Sequence, residues 1–104
     1  MTTETGVTSG AYKEIELIER HIRMLYATKM NQPVGIIRLS EILDLPRHKV
    51  RYSLRILEKD GVIVATPEGA VVSDRYDSFM RETNEYLAHL INRIGEVKNL
   101  VPDT

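Results

Sequence analysis

The residues whose types and spacing suggest chemistry are concentrated in one short stretch, residues 46–55. It holds four basic side chains, Arg47, Lys49, Arg51 and Arg55, and no aspartate or glutamate. Guanidinium groups can pair in bidentate fashion with O6 and N7 of guanine, and lysines and arginines neutralise backbone phosphates. If the stretch is helical, its outer face suits duplex DNA. The alternative is a basic face that is only solvated.

Other kinds of site find little support in the residue types. The chain has no cysteine, which excludes disulfides, thiolate catalysis and zinc ribbons. His21, His48 and His89 fall on three different predicted helices without further ligands at metal spacing, so we interpret them as ordinary surface or half-buried histidines rather than a zinc site. The sequence has no phosphate loop and no paired glycine fingerprint. Four serines lack a glycine elbow or an adjacent base: Ser40, Ser53, Ser73 and Ser78. We therefore expect no enzyme, no cofactor, no metal and no small-molecule ligand.

Size and charge limit the architecture that must position the basic stretch. The 104 residues allow one domain with one modest core, and 42% apolar with 28% charged residues suits a globular protein. The net charge of -1 is low for a nucleic-acid-binding protein, but the positive charge is local, because acids outnumber bases after residue 55. No apolar run approaches a membrane span, and residues 1–10 resemble a disordered tail rather than a signal peptide. We expect a cytoplasmic protein with no membrane association.

The first half of the chain predicts two helices. Over residues 11–30, Ile15, Ile18, Ile22 and Leu25 recur at steps of three and four, which indicates an amphipathic helix. Residues 31–33 end it, because Pro33 cannot continue the hydrogen-bond ladder. Residues 34–37 suit a small strand or an extended link that could pair with a later hairpin. Residues 39–43 then predict a short helix, which residues 44–46 break.

A third helix is predicted from Pro46, placed at its first helical position. Val50, Leu54 and Leu57 repeat at helical spacing and should face the core. Gly61 is suited to the left-handed residue that follows many helices. Two short β-branched runs, residues 62–65 and 70–72, flank the turn composition of residues 66–69 and predict a hairpin.

This order of elements resembles a known family. The sequence resembles small prokaryotic, particularly archaeal, winged helix-turn-helix transcriptional regulators. The resemblance lies in LSEILDLP at residues 39–46, the apolar face of residues 50–57 and EKDGVI at residues 58–63. The likeness covers the central third of the chain. It implies a mainly α fold with a small β-hairpin, and a winged helix-turn-helix domain over residues 11–73. The implied contacts to the major groove are Arg47, His48, Arg51, Tyr52 and Arg55, with Lys49 and Arg38 on the DNA backbone.

The hairpin tip departs from this family pattern. Residues 66–69 carry Glu68 where DNA-reading wings often carry arginine or lysine. Phosphates would repel its carboxylate. We therefore expect the helix over residues 46–60 to dominate DNA recognition.

The last predicted helix runs from Asp74, as its N-cap, to about Leu100. At roughly 40 Å it is long for a domain with a radius of gyration near 13 Å. Its apolar seam follows alternating steps of three and four, as in helices that pair. The seam residues, a predicted dimer interface over residues 74–101, are Met80, Thr83, Leu87, Leu90, Ile94, Val97 and Val101. The alternative is packing against the first helix of the same chain.

Together these features predict a homodimeric transcriptional regulator that binds specific sequences of double-stranded DNA. The alternative is a winged helix that recognises a protein, with its basic face docked on an acidic partner inside a larger transcription or processing assembly. Fold alone does not separate the two.

Overall fold

The computed structural model describes Gly6 and residues 8–103, and in these residues the protein is mainly helical with one antiparallel hairpin. This confirms the predicted class. The chain forms two compact units, one ending at Ser73 and one beginning at Asp74. Most of the predicted N-terminal tail, residues 1–5 and 7, lies outside the described residues. The elements are α1 (Ala11–Asn31), α2 (Ile36–Leu43), α3 (Arg47–Lys59), β1 (Ile63–Thr66), β2 (Gly69–Val72) and α4 (Tyr76–Lys98).

Helix α1 supplies the largest share of the core of the first unit from its C-terminal half. Met24 and Leu25 are fully buried, and Thr28 donates its hydroxyl hydrogen to the carbonyl of Met24 at 2.8 Å, which satisfies a buried polar group. The predicted apolar stripe is covered unevenly, because Ile15 is 53% exposed while Leu25 is inaccessible. The buried residues of α1 therefore all lie in its C-terminal half.

The link after α1 differs from the expectation of an extended segment over residues 34–37. Val34 does pair with Ala70 of β2, through N–H···O contacts of 3.0 and 2.7 Å. Ile36 and Ile37, however, are the first residues of α2, which begins three residues earlier than predicted. The reason is that Gly35 takes the extended N-cap conformation and its carbonyl accepts from the N–H of Leu39, so the helix can start directly behind the bridge.

Helix α3 begins at Arg47, since Pro46 is its N-cap with an extended backbone rather than its first helical residue. The carbonyl of Pro46 accepts a hydrogen bond from the N–H of Val50 at 3.2 Å, as expected of an N-cap residue, which is only partly inside the helix. The core-facing set also differs from the prediction, because Leu54 is half-buried and Ser53 is fully buried beside Val50.

The end of α3 and the start of the hairpin follow the predicted pattern. Gly61 has a φ of 77°, and the N–H groups of Gly61 and Val62 donate to the carbonyls of Glu58 and Leu57 at 2.9 and 3.1 Å. This is a Schellman motif, in which a left-handed residue satisfies the last carbonyls of the helix. Strand β1 then pairs with β2 so that Thr66 faces Gly69 across a two-residue turn.

Helix α4 forms the second unit and contains no buried residue. It begins after Arg75, the N-cap, so Asp74 does not cap it as predicted. It ends at Lys98, and Val101 of the predicted seam lies beyond it, because the N–H groups of Leu100 and Val101 donate to carbonyls only three residues back and Pro102 follows. No helix among the described residues is long and apolar enough to cross a membrane.

Candidate nucleic-acid interface

The outer face of α3 presents the predicted basic residues. Because Val50, Ser53 and Leu57 turn toward the core, the residues between them on the helical wheel point outward. Among the described residues, no ion pair neutralises any of the four cationic groups on this face. Glu58 and Lys59 are exposed in the last turn of α3. The predicted site residues exposed on this helix are Arg47, His48, Lys49, Arg51, Tyr52 and Arg55.

A cleft of about 520 Å³ lies along this face and includes a residue from α1. The Cζ atom of Arg20 lies 5.8 Å from the centroid of the Tyr52 ring, a distance at which a guanidinium is attracted by the aromatic face. The lining contains four formal positive charges and no carboxylate: Arg20, His48, Lys49, Arg51, Tyr52 and Arg55. The folded chain therefore has a larger basic surface than the helix alone predicts.

Arg20 was not predicted as a site residue, and its sequence neighbours explain why. It lies on α1 close to Glu16 and Glu19, so that stretch shows no local excess of positive charge. In the structure the Glu19 carboxylate accepts a hydrogen bond from the Arg23 guanidinium at 2.9 Å, so Glu19 forms its ion pair with Arg23. The packing of α1 on α3 brings Arg20 to the edge of the basic cleft, although Glu16 and Glu19 remain close to it on α1.

A hydrogen bond between helices holds the same region in place. His21 Nδ1 and Ser53 Oγ share a hydrogen bond of 3.0 Å, and the His21 ring lies 6.1 Å from the Tyr52 ring at an angle of 30°. Burial lowers the pKa of His21 from its ordinary value of 6.5, and the adjacent Arg20 guanidinium lowers it further, while Asp60 acts in the opposite direction. The imidazole is therefore predominantly neutral at pH 7, and it is half-buried, as predicted.

No model of a protein family matches the chain, and no curated protein matches it.

Within the part of the chain that the structure describes, no group of three histidine, cysteine, aspartate or glutamate residues is placed to hold a metal ion.

Arg38 is separate from the basic cleft. It is exposed on α2, and its guanidinium lies 3.9 Å from the carboxylate of Glu41, a loose contact between two exposed side chains. Such pairs contribute little to stability and exchange readily for another anion. The hairpin tip presents an exposed Glu68, as the sequence indicates, so the structure adds no basic residue there.

A second cleft, of about 630 Å³, adjoins the basic one between α1 and the connection of α2 to α3. Arg20 and Lys49 line both clefts. The second cleft contains acids as well as bases, among them Glu14, Glu16 and Glu19. Acidic side chains therefore limit the basic surface on its α1 side.

The surface of α4 carries the predicted seam and additional apolar residues. Met80, Thr83, Leu87 and Leu90 are half-buried, whereas Ile94 and Val97 are 57% and 50% exposed. Val101, beyond the helix end, is 69% exposed. Three more large apolar side chains outside the seam are exposed: Tyr86, Ile91 and Leu100. The C-terminal half of this unit is thus a wide apolar surface in the single chain.

Proposed function

We propose that the first unit is a winged helix-turn-helix domain of a transcriptional regulator, and that it binds duplex DNA with α3 in the major groove. The order of elements supports this proposal. A bridging residue, Val34, joins α1 to the hairpin, a three-residue connection separates α2 from α3, and the hairpin follows α3 directly. This is the arrangement expected of the family that the sequence resembles, small prokaryotic and particularly archaeal regulators.

The observation that carries the proposal is the exposed basic face of α3 over residues 47–55, which holds no carboxylate, and the single acid of the helix, Glu58, lies in its last turn. The 13 residues of α3 give a length of about 20 Å, and an α-helix fits the major groove of B-DNA. Arg47, Arg51 and Arg55 recur at every fourth residue, so their side chains project from one side of the helix. Guanidinium groups on that side can reach guanine edges, while Lys49 and Arg38 contact phosphates.

We further propose that the protein is a homodimer paired through α4. The exposed apolar side chains of its C-terminal half support this, because soluble proteins rarely leave such surfaces uncovered. Most small homo-oligomers are two-fold dimers. Two recognition helices related by that symmetry would contact half-sites separated by about 34 Å, one turn of DNA, or a multiple of it.

The proposal is tested by selecting bound sequences from random duplex DNA and measuring the affinity of the best duplex over a series of salt concentrations. We expect a palindromic consensus and a linear fall of log affinity with log salt, of about 0.9 for each phosphate neutralised. No selected sequence, or binding that is absent or insensitive to salt, would overturn the proposal. An acidic protein partner would then be the better candidate for the basic face.

A further inference from the structure

We propose that Arg20, supported by the ring of Tyr52, binds one phosphate of the DNA backbone, so that α1 contacts the duplex together with α3. This inference rests on the proposed function and extends it to a residue that the sequence pattern of α3 does not include. The pair of residues is called the Arg20–Tyr52 site below.

The Arg20 guanidinium contacts the Tyr52 ring but has no hydrogen-bond or ion-pair partner among the described residues. Its Cζ atom lies 5.8 Å from the Tyr52 ring centroid, and its Nε atom is buried without a hydrogen-bond acceptor. Among the described residues no ion pair involves Arg20, and the nearby Glu19 is already paired with Arg23. Because the Nε–H is buried, an external acceptor with several oxygens would bind through the Nη–H groups of the planar guanidinium.

Two neighbouring contacts fix where this guanidinium lies. Arg20 meets Tyr52, and the next residue on each helix, His21 and Ser53, share the 3.0 Å hydrogen bond. The two contacts occur together in this register of α1 against α3. An arginine held on an aromatic ring loses less conformational freedom when it binds an anion than a free side chain does.

The surroundings select an anion and favour a backbone phosphate over a base. Every formally charged residue that lines the basic cleft is a cation, namely Arg20, Lys49, Arg51 and Arg55. Arg20 lies on α1, at the edge where the basic cleft meets the acid-containing one, whereas the α3 side chains form the centre of the face. A cation at the edge of a recognition helix is placed for the phosphates that border the groove.

This assignment changes the role of Tyr52. The sequence placed Tyr52 among the residues that contact bases, but its ring contacts both Arg20 and the ring of His21. It is a positioning residue for the phosphate contact. Its hydroxyl group is not required for this role, whereas its aromatic ring is.

The test compares Arg20→Gln with the wild type in binding the selected duplex from 0.05 to 0.3 M salt. We expect the salt slope to fall by about 0.9 and the affinity at 0.1 M salt to fall roughly five- to tenfold, equally for specific and unspecific duplexes. Tyr52→Ala should show the same loss, while Tyr52→Phe should retain wild-type binding. Arg93→Gln is the matched control, since Arg93 is an exposed arginine on α4 and is paired with Glu96. Circular dichroism melts verify that each variant folds.

A second measurement does not depend on duplex DNA. The Nε–H resonance of Arg20 is followed by NMR while inorganic phosphate replaces chloride at constant ionic strength, with Arg23 as the internal reference. A shift confined to Arg20 supports the site even if no duplex binds. If duplex binds and Arg20→Gln leaves slope and affinity unchanged, the Arg20–Tyr52 site is wrong and the proposed function stands. If the protein binds no duplex and phosphate does not shift the Arg20 resonance, both proposals are overturned.

Discussion

The Nδ1 atom of His21 lies 3.0 Å from the Oγ atom of Ser53, and this contact joins the first helix to the inner side of the basic helix. Ser53 is fully buried, so its hydroxyl group depends on this partner inside the protein. The imidazole is kept neutral by burial and by the positive charge of Arg20. The packing of α1 on α3 is therefore coupled to the protonation of one histidine.

This coupling predicts that stability falls under mildly acidic conditions. Because the pKa of His21 is lower in the folded protein than its ordinary value of 6.5, the unfolded chain binds more protons between the two pKa values. The stability contributed by the neutral imidazole is complete above about pH 6.5 and is lost as pH falls through the folded-state pKa. Urea unfolding from pH 8 to pH 5 should show this loss in the wild type.

His21→Gln should remove that part of the pH dependence and keep a side chain able to hydrogen-bond Ser53. The matched control is His89→Gln, which alters an exposed histidine on α4. An identical pH profile in His21→Gln and the wild type would show that His21 does not couple protonation to folding.

Gly69→Ala should destabilise the protein by about 1–3 kcal/mol. Gly69 has a φ of 135°, and an added Cβ atom would lie 2.8 Å from the backbone of Val34, which has no room to move because it pairs with Ala70. Gly95→Ala is the control, because nothing lies within 4 Å of the added methyl group and the helical position favours alanine. The melting temperature should fall for Gly69→Ala and should stay the same or rise for Gly95→Ala.

Arg51→Ala combined with Arg55→Ala should weaken duplex binding by more than tenfold at 0.1 M salt without changing the melting temperature by more than a few degrees. Both side chains are exposed and line the basic cleft. Arg93→Ala with Lys98→Ala removes the same charge from exposed positions on α4 and should bind nearly as the wild type does. Equal losses in the two double variants would mean that net charge, and not this face, determines binding.

Leu90→Glu combined with Ile94→Glu should convert the dimer to a monomer, or make the chain insoluble, as measured by size-exclusion chromatography with light scattering. Two carboxylates in the seam would have to be buried without partners. His89→Glu with Asn92→Glu adds two carboxylates at exposed positions away from the seam and should remain dimeric. A monomeric wild type would contradict the proposed dimer at once.

Local features of the sequence were sufficient to predict most of the elements. The helical spacing of Val50 and Leu57 and the left-handed position of Gly61 predicted α3 and its end, since both depend only on neighbouring residues. The boundaries were less certain, as Pro46 shows. Its ring sets φ, but the value of ψ decides whether it is a cap or a helical residue, and nearby residues do not determine ψ.

In the candidate site, too, the sequence predicted the features that depend on neighbouring residues and missed those that depend on tertiary packing. The exposed cations of α3 could be predicted from the sequence, because an acid-free run on an amphipathic helix has only one face that avoids the core. The contacts of Arg20 with Tyr52 and of His21 with Ser53, the latter 32 residues apart, could not. Such pairs depend on the register in which two helices pack. That register is chosen by the whole core at once, so only the tertiary structure decided which residues of α1 join the basic face.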